Sequence, residues 1–139
     1  MIASILCISE EDGVNLLMNF PKSVNSTKFI EFLRELRSQQ PEEMIAIFMD
    51  RLNVHRSYRV LDVCQELGIV RIFNSSYSPN YNPIEGVIGV IKNEIKRQRT
   101  NQIANGNKPD LYPMLENIAA NVKKEVCVNC IVKSNYLLN

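Results

Sequence analysis

Two acidic residues could carry chemistry in this sequence, because each lies where a folded chain gathers functional groups. Asp50 closes the apolar run "MIAIFMD", and Glu85 follows the polar segment "SSYSPNYNP". Carboxylate oxygens suit hard cations such as Mg²⁺ or Mn²⁺, which take one or two protein carboxylates and complete their shell with water and substrate phosphate. If folding brings Asp50 and Glu85 together, the pair predicts a divalent-metal site.

Each carboxylate also has a purely structural interpretation. An aspartate after a strand is often a turn former, and a glutamate three residues past a helix cap often belongs to a capping box that faces the helix dipole. Without further context, both interpretations of the pair stay open.

The elements around the pair favour a parallel α/β sheet. The run "MIAIFMD" has strand length and no polar interruption, which is typical of a strand covered on both faces, and "IVRIFN" predicts a second strand. Gly68 closes the helix predicted between them. The order strand, helix, strand, helix implies a parallel pair with a right-handed crossover. The stripe of that intervening helix consists of Val60, Leu61, Cys64 and Leu67.

This order predicts where the two carboxylates lie. Functional groups gather beyond the carboxyl ends of parallel strands. We expect Asp50 to be the last residue of its strand. We expect Glu85 in the first turn of the next helix, with Asn82 as the cap and Pro83 at the first helical position.

The remaining segments predict elements that surround this sheet. The runs "IASILCIS" and "VNLLMNF" predict a β-hairpin around Asp12-Gly13. Asn25 or Ser26 can cap a helix that Pro41 limits, with Phe29, Ile30, Leu33 and Leu36 on one face. After Arg99 we expect a polar connector and then a tail, residues 111–139, of two helical pieces. The inward side chains of the tail are Leu115, Ile118, Val122 and Val126.

Bulk properties bound the class of protein. A chain of 139 residues is long enough for one domain with its own core, and a net charge of +1 does not by itself indicate a polyanion partner. No segment approaches the roughly 18 to 20 apolar residues of a membrane span. We therefore expect an intracellular protein without a membrane partner, nuclear in a eukaryote or cytoplasmic in a bacterium.

The cysteines predict reduced thiols rather than a disulfide framework. Cys7, Cys64, Cys127 and Cys130 are scattered through a chain whose core is otherwise sufficient. The pair in "CVNC" has the spacing of zinc ligands but lacks a second pair or histidines to complete four ligands. We interpret it as small apolar side chains on a helix face.

The segments "MDRLNVHRSYRV" and "YSPNYNPIEGVIGVIKNEI" resemble the catalytic-domain signatures of mariner-superfamily DDE transposases and their bacterial insertion-sequence relatives. The 34 residues between Asp50 and Glu85, residues 51–84, match the branch whose third acidic residue is glutamate. The resemblance covers about residues 2–99, and "NSTKFIEFLRELR" looks like the family's first helix. It implies an RNase H-like mixed sheet flanked by helices, an α/β fold.

The resemblance also implies a mechanism and a missing part. In such enzymes two metal ions, Mg²⁺ or Mn²⁺, lie between acidic side chains, so Asp50 would be the second acidic ligand and Glu85 the third. The first belongs to a central strand before the hairpin, outside this chain, and Asp12 lies at the wrong end of the hairpin to replace it. We expect residues 1–100 to be a partial catalytic domain and residues 101–139 a connector and helical tail that pack on it. We also expect impaired DNA cleavage and strand transfer, with a domesticated scaffold completed by a partner chain as the alternative.

The resemblance suggests further residues that contact the substrate, with DNA as the partner. Arg51 occupies a position where the family usually has asparagine, and Asn53 and Asn82 belong to the two signatures. His55 could assist substrate placement, although a local hydrogen bond is the more common role of such a residue. Tyr77 could shape the rim of the site or stack on a nucleotide, although loop tyrosines more often only pack. Lys92 and Lys96 could contact the DNA backbone, although a solvated helix face is almost as good an explanation. A partner chain or a second copy could supply the missing strand.

Overall fold

The structure, a computed structural model, describes residues 2–74 and 82–138. These residues form four strands and six helices. Their order is β1 (Ile2–Ser9), β2 (Gly13–Pro21), α1 (Ser26–Gln39), β3 (Ile45–Met49), α2 (Asn53–Arg56), α3 (Tyr58–Leu67), β4 (Ile69–Phe73), α4 (Ile84–Ala104), α5 (Leu111–Ala120) and α6 (Lys124–Leu138).

The chain divides into two compact units, and the hairpin contributes to both. The first unit contains Met1–Ile5 and Met18–Asn82, and the second contains Leu6–Leu17 and Pro83–Asn139. The predicted boundary near residue 100 concerns the extent of a family domain and stays a prediction.

The first unit is built on the predicted parallel pair. β3 and β4 pair in parallel, with Ile45 opposite Ile69 and Met49 opposite Phe73. Helices α1 and α3 pack against each other, and α3 packs on β4. Leu33 and Val60 are fully buried in this core, together with Cys64. The prediction of two parallel strands joined by a helix is confirmed.

The prediction that the β3 run is covered on both faces is wrong for the described residues. Ile45 and Met49 are buried, whereas Phe48 is 40% exposed. On β4, the partner of Phe48 is Ile72, which is 47% exposed. Since side chains alternate along a strand, these two positions share one face, and that face is open. A continuous apolar run shows that neither face is strongly polar, but it does not show that both are covered.

Helices α1 and α3 of the first unit begin or end at the residues that the sequence predicts. Asn25 caps α1 by accepting a hydrogen bond from the Lys28 backbone N–H at 3.0 Å, and α1 ends at Gln39, before Pro41. Gly68 closes α3 in the left-handed region, with φ of 67°. The buried stripe of α1 differs from the predicted one at two positions. Phe32, which was not predicted to belong to it, is buried, and Ile30, which was, is only partly buried.

The second unit packs α4, α5 and α6 around an apolar cluster. The centre of the cluster consists of Val87, Ile91, Met114, Ile118 and Cys127. Leu115 and Val122, which the sequence predicted to face inward, pack against it. The position of Cys127 supports the interpretation of "CVNC" as apolar helix residues. Burial raises the pKa of the Cys127 thiol, and the neighbouring Cys130 raises it further.

The hairpin turn is longer than the predicted Asp12-Gly13 dipeptide. Residues 10–12 form the turn, and Gly13, with φ of 75°, is already the first residue of β2. A three-residue hairpin loop closed by a residue in the left-handed region is a common variant. The Ser9 hydroxyl accepts a hydrogen bond from the Asp12 backbone N–H at 3.1 Å, which supports the turn.

Helix α4 differs from the prediction at both ends. Its regular hydrogen bonding begins at Ile84 and Pro83 takes the cap position, although Pro83 has helical dihedral angles of −61° and −24°. Such one-residue differences are usual at helix ends. At the other end α4 continues to Ala104, so the predicted start of the connector after Arg99 is wrong. The effective stop signal is Gly106, whose φ is 76°.

Among the described residues, no helix combines the length and apolar character needed to cross a membrane.

Two glycines of α4 provide a matched test of the packing in the second unit. A Cβ atom added at Gly86 would lie 2.7 Å from Cys130 Sγ, whereas one added at Gly89 meets nothing within 4 Å. We expect Gly89→Ala to stabilise the protein by about 0.5 to 1 kcal/mol through helix propensity. We expect Gly86→Ala to destabilise it by about 1 kcal/mol, because overpacking outweighs the same gain.

Urea denaturation followed by circular dichroism measures both effects. The double variant Gly86→Ala, Cys130→Ala removes the sulfur atom and should recover the loss relative to Cys130→Ala alone. Equal stabilisation by both single glycine substitutions would contradict the close approach of α4 and α6.

Candidate active site

Asp50 immediately follows β3, which ends at Met49, so it lies just beyond the predicted strand end rather than within it. Its carboxylate is 46% exposed. The residue therefore stands at the carboxyl end of a parallel pair, where α/β sheets place functional groups. This position is accessible to solvent and to a substrate.

Hydrogen bonds join the ends of β3 and β4 on both sides of Asp50. The Asn74 backbone N–H donates to the Met49 carbonyl at 2.7 Å, which extends the parallel ladder. Arg51 Nε donates to the Asn74 carbonyl at 3.2 Å, and Asn74 itself is buried. The backbone that carries Asp50 is thus fixed before and after the residue. Part of the Arg51 guanidinium is engaged in this structural role.

His55 contacts Asp50 directly. His55 Nδ1 lies 3.0 Å from the Asp50 carbonyl oxygen and 3.1 Å from Asp50 Oδ1. The imidazole packs against the Phe29 ring of α1, with centroids 4.7 Å apart. Arg71 of β4 donates to the His55 carbonyl at 2.8 Å. The histidine is held from three directions and is only 17% exposed.

Shortly after Asp50, residues 53–56 form the single helical turn α2. Asn53 Oδ1 accepts a hydrogen bond from Arg56 Nη2 at 3.1 Å within that turn. Asn53 and Arg56 are exposed. Four residues without an apolar stripe give no helical pattern in sequence, so the turn depends on tertiary contacts such as that of Arg71.

Glu85 lies in the first turn of α4, as predicted, and is exposed. A carboxylate there interacts favourably with the positive end of the helix dipole, so the structural interpretation remains physically sound beside the catalytic one. Asn82 precedes the helix and is partly buried. Glu85 belongs to the second compact unit and Asp50 to the first, so their pairing at one metal site stays a prediction.

A basic face continues along α4 beyond Glu85. Lys92, Lys96 and Arg99 are exposed and recur at the spacing of one helical face, and none forms an ion pair with another described residue. Glu94 does not neutralise this face, because it pairs with Arg97 through Oε1–Nη2 and Oε2–Nε distances of 2.6 and 3.0 Å. Hydrogen bonds from Arg97 and Gln98 lower the pKa of Glu94 to about 2, so the pair persists at ordinary pH.

Two sequence predictions receive no structural account. Tyr77, expected near the rim of the site, lies outside the described residues. Within residues 2–74 and 82–138, no cluster of three or more potential metal ligands is present. The individual residues nevertheless fit a hard cation, since Asp50 and Glu85 offer accessible carboxylates and Mg²⁺ binds through one or two of these.

Sequence reasoning missed three residues that support Asp50. Asn74 extends the ladder, Phe29 packs on His55, and Arg71 holds α2. For two of these three residues, the sequence contained a signal that could have identified them. Asn74 is the first polar residue after β4, the same kind of position as Asp50, and Arg71 is the one charged residue in an otherwise apolar strand. Phe29 was assigned to the helix stripe, which gave no indication of its contact with the histidine.

Comparison with known proteins identifies both a family and a fold. A family model described as DDE superfamily endonuclease matches residues 2–105. The fold is similar to the Mos1 transposase catalytic domain solved with Raltegravir and Mn, with a TM-score of 0.68 at 15% identity over 96% of this chain and 70% of that chain. The corresponding structure with Mg gives 0.67 at 16% identity over 97% and 71%. No match was found among curated proteins.

A larger assembly shows the same likeness. The Mos1 transposase paired-end complex with left transposon end matches with a TM-score of 0.71 at 16% identity, over 96% of this chain but 40% of that chain. The chain therefore spans less than half of that transposase. At these identities the likeness concerns the fold, and it confirms the predicted RNase H-like α/β class.

Proposed function

Because this chain belongs to the DDE superfamily endonucleases, we propose that it is a mariner-type transposase catalytic segment that binds DNA and a divalent metal ion. The observation that carries the proposal is the family match over residues 2–105, which includes both signature segments. The positions of Asp50 at a strand end and Glu85 in a first helical turn support it.

We assign Asp50 and Glu85 as carboxylate ligands of Mg²⁺ or Mn²⁺. Both side chains are accessible, and each is attached to a regular element rather than to a long loop. When bound, such ions activate water or a DNA 3′ hydroxyl and stabilise the leaving oxygen of an in-line phosphoryl displacement. The similar Mos1 catalytic domain was solved with Mn and with Mg.

The resemblance implies three acidic ligands, and this chain carries two of them. A metal site with fewer carboxylates holds its cation more weakly and orients substrate phosphate less well. We therefore infer that the 139-residue chain cleaves DNA slowly on its own.

A plasmid-nicking assay tests the metal site. We expect at most weak nicking with Mn²⁺ or Mg²⁺, no nicking after chelation, and none in Asp50→Ala or Glu85→Ala. Each substitution removes a proposed metal ligand and should abolish the remaining activity. Nicking that persists in both variants would overturn the assignment of the ligands. Fast wild-type cleavage that both substitutions abolish would instead overturn the inference of impairment.

We propose that DNA lies along the basic face of α4. Glu85 shares this face with Lys92, Lys96 and Arg99, so the phosphate backbone could extend from the metal ligand along the helix. The pairing of Glu94 with Arg97 supports this assignment, because Glu94 then does not neutralise the lysines and the arginine that follow Glu85 on this face. Arg51 and Asn53 are exposed near Asp50 and could add contacts to the substrate.

Two charge-matched substitutions test the DNA-binding face. Lys96→Gln should weaken DNA binding regardless of sequence and reduce the slope of log K against log salt by about 1, because one phosphate contact is lost. Arg97→Gln removes the same charge, but Arg97 is already paired with Glu94, so the slope should not change. Fluorescence anisotropy across a salt series measures both quantities. Equal slope changes in the two variants would contradict the proposed face.

A second candidate function is assembly through strand addition. In the described residues, β1–β2 and β3–β4 form separate two-stranded sheets, so β3 pairs along one edge only. An unpaired strand edge is a template for another chain, and such pairing is a known mode of recognition. A domesticated scaffold completed by a second copy of this chain would use that edge.

Light scattering combined with hydrogen exchange distinguishes this assembly from the isolated catalytic segment. If copies associate through β3, a dimer should form as concentration rises, and amides of residues 45–49 should exchange more slowly in it. A chain that stays monomeric across the concentration range excludes a second copy as the partner.

A further inference from the structure

His55 holds Asp50 through a hydrogen-bond pattern that fixes the state of its ring. Nδ1 lies within hydrogen-bond distance of two Asp50 atoms, the carbonyl oxygen at 3.0 Å and Oδ1 at 3.1 Å. A carbonyl oxygen and a carboxylate oxygen both accept hydrogen bonds and neither can donate. The hydrogen must therefore be on Nδ1, which donates to the carbonyl oxygen and also faces the nearby Oδ1. In a neutral ring with this arrangement the lone pair lies on Nε2.

The surroundings of His55 fix the direction of this donor. The Phe29 ring lies against the imidazole with an interplanar angle of 34°. The His55 backbone is held at both ends, since its N–H donates to the Leu52 carbonyl at 3.0 Å and its carbonyl accepts from Arg71 Nη1 at 2.8 Å. With the backbone and the ring plane both held, Nδ1 can hold the Asp50 carboxylate in one orientation.

The other carboxylate oxygen has a different environment. No described residue forms a hydrogen bond with Asp50 Oδ2, and the carboxylate is 46% exposed. One oxygen thus lies against Nδ1 of His55, and the second belongs to a half-exposed side chain without a described partner of its own. A carboxylate whose orientation is already set loses less rotational freedom when it binds a cation.

We propose that His55 is a positioning residue for metal binding, in which Nδ1–H fixes Oδ1 of Asp50 so that Oδ2 is presented to a divalent cation. The inference rests on the proposed role of Asp50 as a metal ligand and extends it, because it assigns His55 to the carboxylate rather than to the substrate. Partners that orient a ligand in this way typically contribute 10- to 100-fold to metal affinity.

Two amide substitutions separate the position of the donor from the packing of the ring. The side-chain nitrogen of asparagine is as many bonds from Cα as Nδ1, and that of glutamine as many as Nε2. Both substitutions remove the ring that contacts Phe29, so they match each other in lost packing. We expect His55→Gln to weaken Mn²⁺ binding by about 10-fold and His55→Asn by no more than about 3-fold.

Electron paramagnetic resonance of free Mn²⁺ measures these affinities without any need for catalysis, with Asp50→Ala as the reference for loss of the ligand. Equal weakening by the two His55 variants, with binding lost in Asp50→Ala, overturns the positioning role and leaves the metal site standing. Unchanged binding in Asp50→Ala overturns both.

A second measurement needs no substitution at all. His55 is the only histidine of the chain, so ¹⁵N-histidine labelling gives the signals of one ring. At about pH 8, above the ordinary range of imidazole titration, long-range ¹H–¹⁵N spectra should show hydrogen on Nδ1 and a lone pair on Nε2. A ring with its hydrogen on Nε2 would overturn the proposal even if both His55 variants failed to fold.

Discussion

The parallel pairing of β3 with β4 is the constraint on which the first unit depends. Met49 lies opposite Phe73, and one further backbone hydrogen bond, from Asn74 to the Met49 carbonyl, carries the ladder past the strand ends. Asp50 begins where that ladder stops. Its main chain therefore has the rigidity of a sheet, while its side chain has the accessibility of a loop. Catalytic groups need both properties at once, because a ligand that moves with a loop loses the orientation that binding requires.

Much of the fold could be predicted from sequence because its signals are local. Asn25 caps a helix through its own side chain, and Gly68 takes a backbone conformation that other residues avoid. The order of apolar segments between such signals was enough to predict a parallel pair. The predictions that failed concerned features without a local sequence signal. The continuation of α4 to Ala104 runs through polar residues, and the exposure of Phe48 depends on which neighbours cover the sheet.

The candidate site was predictable in part for the same reason. The family resemblance named Asp50, Glu85 and His55, but the role it suggested for the histidine was substrate placement, not contact with Asp50. That information lies in a hydrogen bond between Nδ1 and Asp50, in the ring of Phe29 and in the reach of Arg71 from another strand. None of these contacts follows from spacing along the chain. The pairing of Glu94 with Arg97, by contrast, joins neighbours on one helix, and helical geometry alone could have predicted it.

The hairpin is divided between the two compact units of the chain. Its tip, Leu6–Leu17, belongs with α4 to α6, whereas the chain between tip and α4 belongs to the other unit. The second unit is therefore discontinuous in sequence. A gene fragment that begins at α4 would encode the three helices without the hairpin. The apolar cluster of these helices would then lack the packing of Leu6, Ile8 and Val14. Recombination or truncation at the apparent junction would thus separate residues that fold together, so the segment can be exchanged between proteins only as a whole.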